Sequence, residues 1–303
     1  MQKQQKSINH QWTILKLLNW TTSYLKSHHI DSPRSTAEIL LAHVLHLERL
    51  DLYLQYDKPL AEYELSKFKA LIKRRVKREP VAYIVGVKEF WSMDLSVTKD
   101  VLIPRPETEC LVEAALRLLP EDANSGHSHH PKRILELGAG SGAVILALAS
   151  ERQQHLFFAS DRSIQAIKLA KLNGRRHDLN NIVNLFCADW FTPLTSGCQF
   201  DIILSNPPYV PTRVIPQLQP EICKYEPVAA LDGDKDGLSS LRHIIFLAHE
   251  FLSSQGSLLL EIGHDQKNDI KKIVDTHKNY KEPAFTKDYS GNDRIVHIRK
   301  KDT

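Results

Sequence analysis

Apolar residues in the first 85 positions recur at helical spacing, with polar residues between them. The first such stripe consists of Trp12, Leu15, Leu18 and Leu25, which is typical of the buried face of one helix. Ser32-Pro33 begins a second helix, because serine is a favoured N-cap and proline a favoured first helical residue. A third helix is predicted over 61–79, and Pro80 either ends it or begins a short last helix. These elements predict a small helical bundle.

Beyond residue 85 the apolar residues become aromatic and β-branched. Two such groups flank a short polar stretch, which predicts a β-hairpin over 86–103. Phe90 and Trp91 belong to the first group and are expected in the core, although a position facing a substrate stays open. Pro104-Arg105-Pro106 ends the hairpin, because proline cannot continue a strand ladder.

From residue 107 onward, strand-like and helix-like segments alternate. Strands are predicted over 133–137, 156–160, 183–188, 200–205, 257–262, 284–287 and 294–299. Helices are predicted over 107–119, 142–151, 163–176, 237–253 and 265–277, with a polar loop over 120–131. This alternation is typical of an α/β protein with a mainly parallel, doubly wound sheet. The predicted domains are a helical domain (1–85), a hairpin linker (86–106) and an α/β domain (107–303).

Composition agrees with this division and excludes several protein classes. The chain has 303 residues, 42% hydrophobic and 25% charged, as in a soluble globular protein of about two domains. No apolar run approaches the roughly 20 residues of a membrane helix, and residues 1–10 lack the apolar core of a signal peptide. The four cysteines are widely spaced without a CxxC pair, so neither a metal site nor a disulfide scaffold is predicted. We therefore expect a cytoplasmic protein.

Charge is distributed unevenly along the chain. Residues 1–100 carry a net charge of +5 and the remainder −1, which argues against a uniformly basic, nucleic-acid-binding protein. The densest basic patch contains Lys67, Lys69, Lys73, Arg74, Arg75, Lys77 and Arg78. This patch is either a solvated helix face or a docking surface for an acidic or RNA-bound partner.

A glycine turn follows the first predicted strand of the α/β domain. It reads Gly138-Ala139-Gly140-Ser141-Gly142 and leads into a helix. Glycines let a ligand approach the backbone, and the helix N-terminus offers free N–H groups. Asp161 ends the next strand, where a carboxylate accepts both hydroxyls of a ribose; it could also cap the following helix. The glycine turn and Asp161 together predict a nucleoside cofactor, but they do not distinguish NAD from S-adenosylmethionine.

Asn206-Pro207-Pro208-Tyr209 follows the strand predicted over 200–205. The prolines hold the chain extended, so the side-chain carbonyl of Asn206 and the backbone carbonyl of Pro207 can accept both hydrogens of one NH₂ group. Tyr209 adds a flat face for packing. Such a grip suits an amide or exocyclic amine, a poor nucleophile that must be aimed at a strong electrophile such as a sulfonium methyl. The two acceptors would also stabilise positive charge developing on the nitrogen.

Several motifs together resemble one family of enzymes. They occupy 104–109, 136–142, 188–191, 206–210, 225–227, 231–233, 236–238, 261–263 and 288–294. The chain resembles a class I S-adenosylmethionine-dependent methyltransferase and, more narrowly, the HemK/PrmC family of release factor N5-glutamine methyltransferases. The segment 104–109 and the helical N-terminal domain narrow the choice, since the tetrapeptide also occurs in DNA adenine and ribosomal RNA guanine methyltransferases. Glu136 stands where many relatives have Asp, and Tyr225 where many have Phe.

The resemblance implies a Rossmann-like, seven-stranded methyltransferase domain and a helical domain that recognises the protein substrate. It implies that Gly138, Ala139, Gly140, Ser141 and Gly142 cradle the methionine part of the cofactor. It places Asp161 at the ribose, and Asp189 and Trp190 along the adenine. Asn206, beside the cofactor, and Pro207 would bind the substrate glutamine amide, with Pro208 and Tyr209 next to it. Of these four, the resemblance implies catalytic roles for Asn206, Pro207 and Tyr209.

The implied partners are class 1 peptide chain release factors, methylated on the glutamine of their GGQ motif. Association with the ribosome stays open, and neither a membrane nor a nucleic-acid substrate is expected. Three alternatives remain: methylation of a ribosomal-protein glutamine, methylation of a nucleic-acid amine, and a non-catalytic adaptor. The loop histidines His127, His129 and His130 are expected to be solvated, with metal binding as the alternative.

Overall fold

The computed structural model describes residues 11–119, 130–195 and 197–302. Contacts within the chain divide it into two compact units, Met1–Gly86 and Val87–Thr303. The hairpin that the sequence suggested as a linker thus belongs to the second unit. His127 and His129 of the loop over 120–131 lie outside the described residues.

The described residues of the first unit, 11–86, form five helices. They are α1 (Ile14–Ser27), α2 (Pro33–Leu45), α3 (Asp51–Leu54), α4 (Glu62–Val76) and α5 (Val81–Val85). The three longer helices agree with the predicted ones, and Pro80 precedes a short last helix. The side chains in contact at the centre of this unit include Leu18, Leu41 and Phe68, all buried. The buried carboxylate of Glu38 forms ion pairs with two guanidinium groups, with Arg34 at 2.6 Å and with Arg49 at 2.7 Å. These pairs compensate the cost of burying its charge.

The second unit begins with a hairpin shorter than predicted. Strands β1 (Val87–Phe90) and β2 (Met93–Ser96) pair antiparallel, with Phe90 opposite Met93. Trp91 and Ser92 form the turn with φ of 53° and 56°, the positive values that a tight two-residue hairpin turn requires. Phe90 is buried, and the indole of Trp91 donates to Glu151 at 2.8 Å. The side chains of Phe90 and Trp91 therefore both make contacts within the second unit.

A seven-stranded sheet forms the centre of the second unit. Its strands are β3 (Arg133–Leu137), β4 (Leu156–Asp161), β5 (Val183–Cys187), β6 (Phe200–Ser205), β7 (Leu252–Glu261), β8 (Ala284–Lys287) and β9 (Asp293–Arg299). Their order is β5-β4-β3-β6-β7-β9-β8. The first five are parallel, and β9 runs antiparallel to both its neighbours. The predicted α/β fold with a mainly parallel sheet is confirmed.

Helices surround this sheet. They are α6 (Glu109–Leu116), α7 (Ala143–Glu151), α8 (Ile164–Arg176), α9 (Pro220–Tyr225), α10 (Ser239–Phe251) and α11 (Lys267–Asp275). One apolar cluster joins α6 and α7 to the hairpin and the sheet, and a second joins α10 and α11 to the sheet. The short helix α9 was not predicted, because six residues are too few to show a helical period. Within the described part of the chain, no helix is long and apolar enough to cross a membrane.

The segment after β6 is held in place by main-chain contacts. Val210 donates to the carbonyl of Leu231 at 2.9 Å and accepts from Gly233 at 2.9 Å. The side-chain amide of Gln266 donates to the carbonyls of Tyr209 at 3.1 Å and Gly237 at 3.0 Å. These bonds hold the segment that follows Asn206 against the loop before α10.

Gly237 packs directly against this segment. Its φ is +78°, and a Cβ there would collide with the carbonyl oxygen of Tyr209 and lie 2.9 Å from Nε2 of Gln266. We expect Gly237→Ala to lower the free energy of unfolding by roughly 2–4 kcal/mol, because backbone strain and overpacking add. Urea denaturation measures this loss.

Gly291→Ala is the matched control. Gly291 has a similar φ of +85°, but beyond its chain neighbours no atom in the described part of the chain lies within 4 Å of the place that a Cβ would take. Only the strain of about 1 kcal/mol therefore remains. Equal losses in the two variants would contradict a collision at Gly237.

Candidate active site

Three adjacent strands end at the same edge of the sheet and bring the predicted motifs together. Leu137 of β3 lies in register with Ser160 of β4 on one side and Ser205 of β6 on the other. The glycine turn, Asp161 and Asn206 follow these residues directly. They line a cavity of about 740 Å³, within the size range of sites for small ligands and cofactors.

The glycine turn is shaped by backbone contacts beneath the cavity. Gly138, Gly140 and Gly142 have φ of 76°, 54° and 82°, values that glycine adopts without strain. The N–H groups of Gly138 and Ala139 donate to the carbonyl of Ser160 at 2.8 and 2.9 Å. At Gly140, apart from the residue itself and its two chain neighbours, no atom of the described residues lies within 4 Å of where a Cβ would stand. The turn therefore presents bare backbone to a ligand.

Asp161 fixes this turn to the start of α8. Its Oδ2 accepts from the N–H of Gly140 at 2.9 Å, and its Oδ1 accepts from the N–H of Ser163 at 2.8 Å. The N-cap of α8 is Ser163, whose hydroxyl accepts from Ala166; the suggestion that Asp161 is the cap is therefore wrong. The carboxylate keeps further lone pairs, with which it can accept hydroxyl hydrogens from a ligand.

Glu136 contributes a buried carboxyl to the cavity. It lies on β3, is 2% exposed, and accepts from the N–H of Ile145 at 2.9 Å. Burial raises the pKa of the Glu136 carboxyl well above its ordinary value, and the nearby charge of Asp161 raises it further. The side chain thus joins β3 to the first turn of α7, a contact that the sequence did not reveal.

Asp189 and Trp190 line the cavity from the loop after β5. Trp190 has φ of 47°. The centroid of its indole ring lies 6.4 Å from the centroid of the imidazole ring of His243 on α10. Its partly buried ring offers a flat apolar surface to a planar ligand.

The tetrapeptide after β6 is divided between the cavity and the core. Asn206 and Pro208 line the cavity, whereas Pro207 and Tyr209 do not. In the glycine turn, the predicted cofactor residue Gly142 does not line the cavity either. Pro207 is buried, and the hydroxyl of Tyr209 donates to Oε1 of Glu261 at 3.1 Å. Burial raises the pKa of the Tyr209 hydroxyl above its ordinary value, so the group stays protonated as a donor. Its expected contact with a substrate amide stays a prediction.

A chain of hydrogen bonds runs from Asn206 into the protein. Nδ2 of Asn206 donates to Oγ1 of Thr108 at 3.1 Å, and Thr108 donates to Oε2 of Glu261 at 2.7 Å. Burial raises the pKa of Glu261, while its contacts with Thr108 and Tyr209 and the charge of Arg294 act in the opposite direction. Thr108 and Glu261 lie in two of the sequence motifs named above, but the sequence alone predicts no role for either residue.

An ion pair joins two further motifs at the cavity. Arg105 lines the cavity and donates to Oε1 of Glu226 at 2.5 Å, and the other oxygen of Glu226 accepts from the N–H of Ile103 at 3.2 Å. The Glu226 side chain is 1% exposed. Since a buried pair of this kind is costly to break, it ties the segment before α6 to the segment after α9.

The chain matches two family models and many curated relatives. The PrmC N-terminal domain matches residues 16–86, and the methyltransferase small domain matches residues 113–222. The release factor glutamine methyltransferase of Geobacter sulfurreducens is 40% identical over 94% of this chain and 96% of its own length. That of Escherichia coli K12 is also 40% identical, over 88% of this chain and 92% of its own length.

A solved structure supports the fold independently of sequence. The delta-N METTL16 methyltransferase domain superposes with a TM-score of 0.53 and 15% identity, covering 69% of this chain and 89% of that one. At this identity the likeness concerns the methyltransferase fold alone. Identity of 40% over nearly the whole length is far stronger evidence, and by it the chain belongs to the release factor glutamine methyltransferase family.

Proposed function

We propose that this protein transfers a methyl group from S-adenosylmethionine to the side-chain amide nitrogen, N5, of a release factor glutamine. The proposed target is the glutamine of the GGQ motif in class 1 peptide chain release factors, so the modification supports translation termination. The observation that carries the proposal is the position of Asn206, which lines the same cavity as the glycine turn and Asp161. Family membership over nearly the whole chain supports it.

The residues around the cavity fit the proposed cofactor. S-adenosylmethionine, when bound, supplies an electrophilic methyl group on its sulfonium sulfur. The bare backbone of the turn over 138–142 would hold its methionine part, and Asp161 its ribose hydroxyls. Asp189 and Trp190 would lie along the adenine, where the indole offers a packing surface.

Asn206 and Pro207 would bind the glutamine amide. Within the described residues, no donor contacts Oδ1 of Asn206 or the carbonyl oxygen of Pro207, so both oxygens can accept from one NH₂ group. An amide nitrogen is a poor nucleophile because its lone pair is delocalised. Two fixed acceptors would aim the nitrogen and stabilise the positive charge that develops on it.

The first unit is the proposed recognition surface for the protein substrate. In the basic patch, which covers the second half of α4 and the two residues after it, Arg74 pairs with Glu79, Arg75 is buried, and Arg78 donates to the carbonyl of His29. These three arginines therefore have structural roles. Lys69 and Lys73 of α4 and Lys77, the C-cap residue of this helix, are exposed and spaced four residues apart. Since like charges at this spacing repel, an acidic partner would relieve the repulsion.

A parallel assay tests the function. The protein is incubated with labelled S-adenosylmethionine and, separately, release factor, ribosomal proteins or RNA. We expect label on the release factor alone, and none on a release factor whose GGQ glutamine is replaced. Label on ribosomal protein or on RNA alone would establish one of the alternatives, and no label on any substrate would favour a non-catalytic adaptor. The cytoplasmic location stays a prediction.

Asn206→Ala tests the role of the amide grip. We expect kcat for release factor methylation to fall by roughly 10²-fold, because one of two acceptors for the transition-state charge is lost, while thermal stability changes little. Asn184→Ala, which removes an exposed asparagine of β5, is the control and should keep full activity. An Asn206→Ala protein with a wild-type rate would rule out this mechanism.

Charge reversal tests the docking surface. The triple variant Lys69→Glu, Lys73→Glu, Lys77→Glu should raise the KM for release factor roughly fivefold to tenfold at low salt, with unchanged affinity for the cofactor. The matched control reverses Lys168, Lys171 and Arg175, an exposed basic stripe on α8. A KM that rises equally in both variants would show an effect of net charge rather than of the α4 face.

A further inference from the structure

The side chain of Asn206 has two ends of similar shape and opposite chemistry. Its oxygen accepts hydrogen bonds and its NH₂ group donates them. A rotation of the amide by half a turn exchanges them with little change in packing. Only the orientation that turns Oδ1 towards the cavity can accept from a substrate NH₂ group. Something in the fold must therefore decide between the two orientations.

The hydrogen bonds behind Asn206 start at a carboxyl group whose two oxygens both accept. Glu261 is 1% exposed, and each of its oxygens accepts a hydrogen bond from a hydroxyl group. Thr108 donates to Oε2 and Tyr209 donates to Oε1. An ionised carboxylate has no hydrogen to donate. Burial raises the pKa of the Glu261 carboxyl, whereas its two hydroxyl donors and the charge of Arg294 act in the opposite direction. The guanidinium of Arg294 itself binds Asp288 and the carbonyl of Ile262.

The direction of each hydrogen bond from Glu261 through Thr108 to Asn206 then follows. Thr108 has one hydroxyl hydrogen and directs it to Glu261, so its oxygen can only accept on the side of Asn206. At 3.1 Å from Oγ1 of Thr108, Asn206 must therefore present its NH₂ group. Its oxygen is left for the cavity. With Thr108 4% exposed, water has little access to compete for these bonds.

We propose that Thr108 and Glu261 are positioning residues that hold the Asn206 amide with its oxygen towards the substrate and so select glutamine over glutamate. The proposal rests on the proposed function of Asn206. A glutamine amide offers two hydrogens to Asn206 and Pro207. A glutamate carboxylate in the same place would face two acceptors without a hydrogen between them, which is repulsive.

Thr108→Val tests the proposal, because valine keeps the shape and removes the hydroxyl. We expect kcat for release factor to fall at least about tenfold, the equivalent of one lost hydrogen bond of about 1.4 kcal/mol, with unchanged affinity for S-adenosylmethionine. Thr108→Ser should restore kcat to within about threefold of wild type, since the hydroxyl returns. Glu261→Gln, which introduces a donor, should lower kcat in the same way.

A second readout separates positioning from a purely structural role. The competitor is a release factor whose target glutamine is replaced by glutamate, and its inhibition constant is compared with the KM of the natural substrate. Wild type should discriminate against the glutamate form. In Thr108→Val and Glu261→Gln the Asn206 amide can turn its NH₂ group outward, so we expect this discrimination to shrink at least about fivefold.

Thr21→Val is the control for loss of a buried hydroxyl. Thr21 lies in α1 of the first unit, where its hydroxyl has no hydrogen-bond partner in the described residues; both readouts should stay at wild-type values. Variants of Thr108 and Glu261 that keep wild-type kcat, or lose affinity for both substrate forms equally, would overturn the proposal. A wild-type protein that leaves release factor unmethylated would instead overturn the proposed function.

Discussion

The burial of one carboxylate, that of Glu261 at the end of β7, is the constraint on which the candidate site depends. A charge without water must be paired or hydrogen-bonded. Here the donors are Thr108 and Tyr209, which lie 153 and 52 residues away in the chain. Because each donor contacts a different oxygen, the carboxylate holds the segment before α6 and the segment after β6 together. The position of Asn206 at the cavity follows from these contacts.

The parallel sheet makes this meeting possible. Strands β3, β6 and β7 are neighbours and run in the same direction, so their carboxyl ends share one edge. In open α/β sheets, ligands bind in the crevice outside that edge, where the strand order reverses. The reversal in this sheet lies between β3 and β6. The glycine turn follows β3 and Asn206 follows β6. The exposed backbone of the turn and the side-chain amide of Asn206 therefore line the same cavity from two neighbouring strands.

Charge divides the chain in a way that matches the proposed division of labour. The net positive charge lies in the first third, and its exposed part on α4 is a stripe of lysines rather than the whole basic run. The arginines of that run bind acceptors within the same unit. A patch that is uniform in sequence thus consists of structural arginines and exposed lysines, and the lysines are the residues that an acidic partner would meet.

Local patterns in the sequence determined the elements of the fold and most of the cavity. The alternation of strands and helices, the glycine turn, Asp161 and the tetrapeptide could all be predicted, because each depends on neighbouring residues. The early end of the hairpin and the short helices α3 and α9 could not, since a few residues show no clear period. Only the tertiary structure decided that Trp91 donates to Glu151, that Tyr209 turns its hydroxyl towards Glu261, and that Thr108 binds Asn206. Such contacts join residues far apart in the chain, and they form only where folding places a buried polar group within reach of a partner.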